Sequence, residues 1–194
     1  MNFLAHIYLS GEMDDLMVGN FIGDFVKGKK FENYSQQMVN GIKLHREIDW
    51  FTDNHQTVEK SKDRLWKKYR HYAGVIIDMF YDHFLAKDWA VYSRETLDDF
   101  TQKAYNVLLK KKAVLPQKAQ HMLPYMIKNN WLLAYQHVEG IEKALQGMAK
   151  RTTFESNMEK AGDDLREDYE LFGQEFHEFF PEIIDHTTNF KNNL

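Results

Sequence analysis

The segment GVIIDMFYDHFLAKDW, residues 74–89, restricts the fold more than any other stretch of the chain. At ~100° per residue, Ile77, Phe80, Tyr81 and Phe84 cover most of a helix circumference, while Val75, Leu85 and Trp89 share a face with Asp78 and Asp82. A helix that is apolar almost all round is buried, so other elements have to surround it. Two carboxylates one turn apart on such a helix then demand a metal ion, a basic partner or a shared proton. His83 projects ~100° away from Asp82, so the two need not serve one ion.

The surroundings are helical as well. Periodicity predicts helices over 2–9, 13–27, 35–58, 60–71, 73–89, 94–112, 117–130, 131–149 and 153–180, with no convincing strand, repeat or linker. Gly11, Gly28, Pro116, Pro124 and Pro181 supply the punctuation, with a kinked helix as the alternative at Pro124. The expectation is an all-α, single-domain helical bundle over residues 1–194. Trp131, Leu132, Tyr135, Val138, Ile141 and Leu145 read as core, and 169–180 reads as an amphipathic packing helix.

With no cysteine, disulfides and thiolate chemistry are excluded, and any metal must rely on histidine and carboxylate ligands. A formal charge of −4 argues against nucleic acid as the main partner. The first residues lack a basic start followed by a long apolar run, and no run nears the ~20 apolar residues that span a bilayer. A cytoplasmic protein without membrane contact is expected. Charge is uneven: residues 60–72 are strongly basic and 155–182 acidic. Such runs are usually solvated faces, but a basic one can also dock an acidic partner.

Three further stretches could supply a site. In LHREIDWFTDNH, 44–55, His45, Asp49 and Asp53 stand four residues apart, within ~80° of one helix face. In GNFIGDFVKG, 19–28, Asn20 and Asp24 share a face, beside a smooth stripe of Gly19 and Gly23 that permits close helix contact. His6, next to Phe3 and Ile7 on the first helix, could point at the same centre. Hard divalent ions such as Mn²⁺ or Mg²⁺ suit this ligand set. Composition alone leaves a network of ion pairs, with Arg46, Lys43 and Lys27 as partners, equally open.

The chain resembles the acyl carrier protein phosphodiesterase family. The resemblance rests on NFLAH at 2–6, GNFIGDFVKG at 19–28, GIKLHREIDWFTDN at 41–54, DMFYDHFLAKDW at 78–89, WLLAYQ at 131–136 and LQGMAKR at 145–151. It implies a divalent-metal hydrolase, preferring Mn²⁺ with Mg²⁺ as the alternative, and related to the all-helical HD phosphohydrolases. Members of the family cut 4′-phosphopantetheine from a serine of holo acyl carrier protein. HD proteins usually carry an adjacent His-Asp pair; this chain has Asp82-His83 in the reverse order.

Carried over motif by motif, the metal candidates are Asp24, His45, Asp49, Asp82 and His83. Asp78 or Asp53 would take a proton from water, Asp24 is a further catalytic candidate, Arg46 or Lys43 would offset phosphate charge, and His6 would protonate the leaving serine. The basic segment 60–72 would meet the acidic carrier. An HD-like nucleotide phosphohydrolase and a non-catalytic helical interaction protein are the rival expectations.

Overall fold

The computed structural model describes residues 1–28, 31 and 33–194. Its α-helices are α1 (Phe3–Ser10), α2 (Asp15–Phe21), α3 (Gln36–Asp53), α4 (Gln56–Tyr69), α5 (Ala73–Lys87), α6 (Trp89–Tyr92), α7 (Leu97–Lys110), α8 (Gln117–Lys128), α9 (Trp131–Ala134), α10 (Val138–Ala149), α11 (Ala161–Glu167) and α12 (Tyr169–Lys191). No strand occurs among the described residues, and none of their helices is long and apolar enough to cross a membrane. The all-α expectation holds.

Helix α5 is the buried axis. Ile76, Ile77, Met79, Phe80, Tyr81, Phe84 and Leu85 are all at most 2% exposed, and α1, α4, α10 and α12 pack around them. Val75 departs from the expected pattern, since it is 40% exposed at the edge of a cleft.

Several predicted boundaries shift, each for a local reason. The span 35–58 divides because Asn54 ends α3, its amide donating to the Trp50 carbonyl, and His55 turns extended to cap α4 at Thr57 N–H. The span 13–27 ends its α-helix at Phe21 and continues as a 3₁₀ turn over Gly23–Phe25. The span 131–149 divides at His137, and 153–180 begins late, with its last helix running to Lys191. Pro181 was expected as a stop but lies inside α12. A proline in a helix costs ~3 kcal/mol. Phe176, Phe179, Phe180 and Ile183 are fully buried on both sides of it, and each contributes roughly 1.5–3 kcal/mol. Packing wins.

Part of the basic segment finds its acidic partner within the chain. Arg64 makes a bidentate pair with Glu175, both bonds 2.8 Å, and Lys68 pairs with Asp164. Burial opposes ionisation of Glu175, but the Arg64 guanidinium and the Ser61 hydroxyl outweigh it and hold the carboxyl below the usual glutamate range. A depressed carboxyl pKa stabilises the fold above the unfolded-state value and loses that contribution as pH falls through the folded one. Glu175→Gln is therefore expected to cost about 1–3 kcal/mol at pH 7, with the difference from wild type shrinking toward pH 3. Urea unfolding from pH 3 to 7 measures it; a deficit constant with pH would mean lost packing, not a lost ion pair.

Candidate metal centre

Close helix contact builds the site. Gly19 of α2 and Gly41 of α3 face each other so tightly that a Cβ on Gly41 would lie 2.0 Å from the Leu16 carbonyl oxygen. A Cβ on Gly23 would lie 2.1 Å from the His45 ring, so that glycine makes the room the imidazole occupies. The chain after α2 consequently runs across the middle of α3, where His45 and Asp49 project.

His6, His45 and Asp49 come together there. Their ligand atoms all lie within 4.8 Å of one another. His6 Nε2 is 3.2 Å from Asp49 Oδ1, and His45 Nε2 is 3.2 Å from Asp49 Oδ2 and 3.3 Å from Asp24 Oδ1. Both imidazoles are buried and stack with centroids 4.0 Å apart, whereas the Asp24 side chain is 67% exposed.

Asn20 sets both tautomers. Its amide nitrogen donates to His6 O at 2.8 Å and to Ser10 Oγ at 2.9 Å, which aims its side-chain oxygen at His6 Nδ1, 2.9 Å away. Its main-chain oxygen accepts from His45 Nδ1, also at 2.9 Å. With both Nδ1 atoms donating, the two Nε2 lone pairs point at each other's neighbours: two carboxylates and, for His6, the Met1 carbonyl oxygen at 3.1 Å. Such a ring of acceptors calls for a proton or a cation. This orientation of the second nitrogen by an oxygen is how proteins hold metal-ligating histidines. The residues present therefore fit a divalent ion: two imidazole nitrogens, one carboxylate and a second carboxylate at the mouth, with no sulfur.

Without an ion the same acceptors trap a proton. Burial works against the His45 imidazolium, but Asp24 and Asp49 raise its pKa to about 9. His6 moves the other way, lowered by burial and by the charge on the adjacent His45. Asp24 is held low by its bond to His45; Asp49 lies far below the carboxylate range, burial being outweighed by the two imidazoles. The centre is thus rich in negative charge and holds one exchangeable proton.

The other predicted residues lie outside this triad, although Asp53 and Asp78 border the cleft beside it. Asp82, fully buried, caps α1: its carboxylate accepts from the N–H groups of Asn2, Leu4 and Ala5 at 3.2, 2.8 and 3.3 Å. Burial pushes it up to about 7 against those donors. That is a fourth answer to the question of the buried carboxylate, beyond the three posed by the sequence, because a buried helix N-terminus needs an acceptor. His83 is occupied on both sides, donating through Nδ1 to the Tyr135 carbonyl and bonding Tyr169 Oη through Nε2, each 2.7 Å.

Asp53 ends α3 and pairs with Lys62 at 3.3 Å, displaced from His45 by the ~80° drift of two four-residue steps. Asp78 meets the Met1 amino group at 2.8 Å. Arg46 donates to Val26 O and Gly28 O, tying down the loop after Asp24, and lies over the Phe31 ring.

The centre opens into a cleft of about 880 Å³, bordered by Asp24 and Asp49 on one side and by α10 on the other. Trp131, expected in the core, lines this cleft together with Met148; Leu132, Tyr135, Ile141 and Leu145 are buried as expected. Asn20 had been noted only for sharing a face with Asp24. Its role as orienter of both histidines was legible in no spacing, since one of its two contacts is made by main chain.

Fold and site together define an all-helical protein whose histidine–carboxylate triad, able to hold a metal ion, stands at the wall of a large cleft. A family model for acyl carrier protein phosphodiesterase matches residues 1–183. The acyl carrier protein phosphodiesterase of Photorhabdus laumondii is 31% identical over 190 residues, 97% of this chain and 96% of its own length. That of Escherichia coli O6:H1 is 30% identical over 186 residues, 95% of this chain and 96% of its own. The chain belongs to the acyl carrier protein phosphodiesterase family. No solved structure matches it.

Proposed function

We propose that this protein is a metal-dependent hydrolase that cuts the phosphodiester between 4′-phosphopantetheine and a serine of holo acyl carrier protein. The observation that carries this reading is the convergence of His6 Nε2, His45 Nε2 and Asp49 beside an open cleft, their ligand atoms all within 4.8 Å of one another. Mn²⁺, with Mg²⁺ as the alternative, fits nitrogen and oxygen donors without sulfur. When bound, the ion lowers the pKa of water and polarises a phosphoryl oxygen.

His6, His45 and Asp49 would hold the ion, and the exposed Asp24 would take the proton from the attacking water. His6 acts here as a holder, since Asn20 engages its only other nitrogen. Lys143 and Arg151, exposed where α10 borders the cleft, would offset phosphate charge, while Arg46 keeps the Asp24 loop in position. The water oxygen adds to phosphorus, the bond to the serine oxygen breaks, the proton taken up by Asp24 passes to that oxygen, and apo carrier and 4′-phosphopantetheine leave.

Of the basic segment, Lys67 and Arg70 remain exposed and make no ion pair among the described residues, flanking the exposed Trp66. These would face the acidic carrier.

Incubating holo acyl carrier protein with the protein and Mn²⁺ tests the reading by mass spectrometry. Loss of the 4′-phosphopantetheine mass from the carrier, abolished by chelation, is expected. An intact carrier, with turnover of a nucleotide panel instead, would redirect the assignment to an HD-like nucleotide phosphohydrolase.

A further inference from the structure

The far wall of the cleft carries a feature that packing leaves unexplained. On α10 and just beyond it, Glu139, Lys143, Gly147 and Arg151 follow one another four residues apart and all border the cleft. Gly140 on the same helix is required by its neighbours, because a Cβ there would lie 2.0 Å from the Ala134 carbonyl oxygen. Gly147 is different: a Cβ there meets nothing within 4 Å. Glycine inside a helix is destabilising relative to alanine, so its presence needs a reason other than room for the fold. What it leaves bare is cleft.

A second observation comes from the opposite side. Thr52 and Tyr135 are each 2% exposed and border the same cleft. Thr52 Oγ1 has no hydrogen-bond partner among the described residues. The Tyr135 hydroxyl makes no hydrogen bond among them either and keeps some contact with solvent, while its main-chain carbonyl holds His83. A buried hydroxyl without a partner is uncommon and costly, so Thr52 Oγ1 points to a ligand that supplies the missing bond, and the Tyr135 hydroxyl stands free to add a second. Phe25, Trp131 and Met148 make the neighbouring surface apolar. An uncharged chain with spaced polar groups matches such a wall better than a nucleotide does.

We propose that Gly147 sets the width of a channel that takes the flexible, amide-bearing arm beyond the scissile phosphate, with the hydroxyls of Thr52 and Tyr135 meeting its amides. The proposal rests on the hydrolase reading above and extends it to how the arm is selected. Arg151 fits the same picture, its Nε donating to the Gly147 carbonyl at 3.0 Å so that its charge stays beside the bare segment.

The test uses the full chain as wild type, Gly147→Leu and Tyr135→Phe, with three readouts: KM and kcat for holo acyl carrier protein with Mn²⁺, calorimetric titration with free pantetheine, and the thermal midpoint. Gly147→Leu is expected to raise KM and weaken pantetheine binding at least tenfold, with an equal or higher midpoint because leucine favours helix. Tyr135→Phe is expected to raise KM roughly threefold to tenfold through loss of one hydrogen bond. A Gly147→Leu protein with wild-type KM and wild-type pantetheine affinity overturns the proposal, leaving Gly147 a merely bare helix position. Wild-type protein that leaves the holo carrier intact strikes the hydrolase reading instead. Pantetheine titration needs no turnover and then decides the channel alone, absence of binding at millimolar concentration overturning it.

Discussion

Asp49→Ala is expected to abolish Mn²⁺ binding at micromolar concentration and to lower release of 4′-phosphopantetheine about a thousandfold or more, corresponding to roughly 4 kcal/mol of lost transition-state stabilisation. Asp49 is the one carboxylate among the described residues that touches both imidazoles, its two oxygens lying 3.2 Å from His6 Nε2 and from His45 Nε2. Removing it takes away the charge that balances a dication and leaves two neutral nitrogens. The fold should survive, because the Asp49 side chain is 41% exposed and no backbone N–H depends on it among the described residues.

Asp24→Ala removes the outer carboxylate and should also abolish turnover, with metal binding weakened less. Asn20→Ala, which frees His6 Nδ1 while the main-chain bond to His45 Nδ1 stays, should cost about 10–100-fold in metal affinity, the usual scale for a residue that orients ligands. Calorimetry with Mn²⁺ and the holo-carrier assay measure all three. Near-normal binding and turnover by the Asp49 variant would remove the triad from the mechanism.

Gly41→Val is expected to destabilise the protein by more than about 3 kcal/mol, lowering its thermal midpoint by roughly 6–12 °C. The obstacle is backbone, which cannot rotate away. A Cβ on Gly41 would stand 2.0 Å from Leu16 O and 2.7 Å from Asn20 N, and the reciprocal Cβ on Gly19 would stand 2.1 Å from Met38 O. Helices α2 and α3 would have to separate, carrying Asn20 away from both histidines, so metal affinity should fall along with stability. Gly74→Ala is the control: its nearest neighbour is Lys62 Cδ at 3.9 Å, ordinary contact, and helix propensity favours the alanine. Melting followed by circular dichroism separates the two; a midpoint shift under about 2 °C for Gly41→Val would show that the helices can part at little cost.

Much of the fold can be read from residues 74–89, whose apolar circumference requires an enclosing bundle whatever the order of the surrounding helices. Helix ends were harder. Pro181 should stop a helix locally, yet aromatic burial on both sides of it, decided by which helices lie alongside, carries α12 through. The basic segment shows the same limit in electrostatics: its charge is visible in the sequence, but the use of Arg64 and Lys68 by Glu175 and Asp164 depends on α4 lying against α11 and α12.

By itself, the sequence determined the helical class, the buried axis, a Gly19–Gly23 stripe open to close helix contact, and a site chemistry confined to imidazole and carboxylate. Tertiary structure alone decided which carboxylates do what. Asp49 and Asp82 look alike in the linear pattern, each acidic on a partly or wholly apolar helix. Helix α1 separates their fates: it presents its N–H groups to Asp82 and its His6 side chain to Asp49. Periodicity determines the face on which a side chain stands, whereas the donor that meets that face comes from a distant segment, and that donor sets whether a buried charge caps a helix or faces a cation.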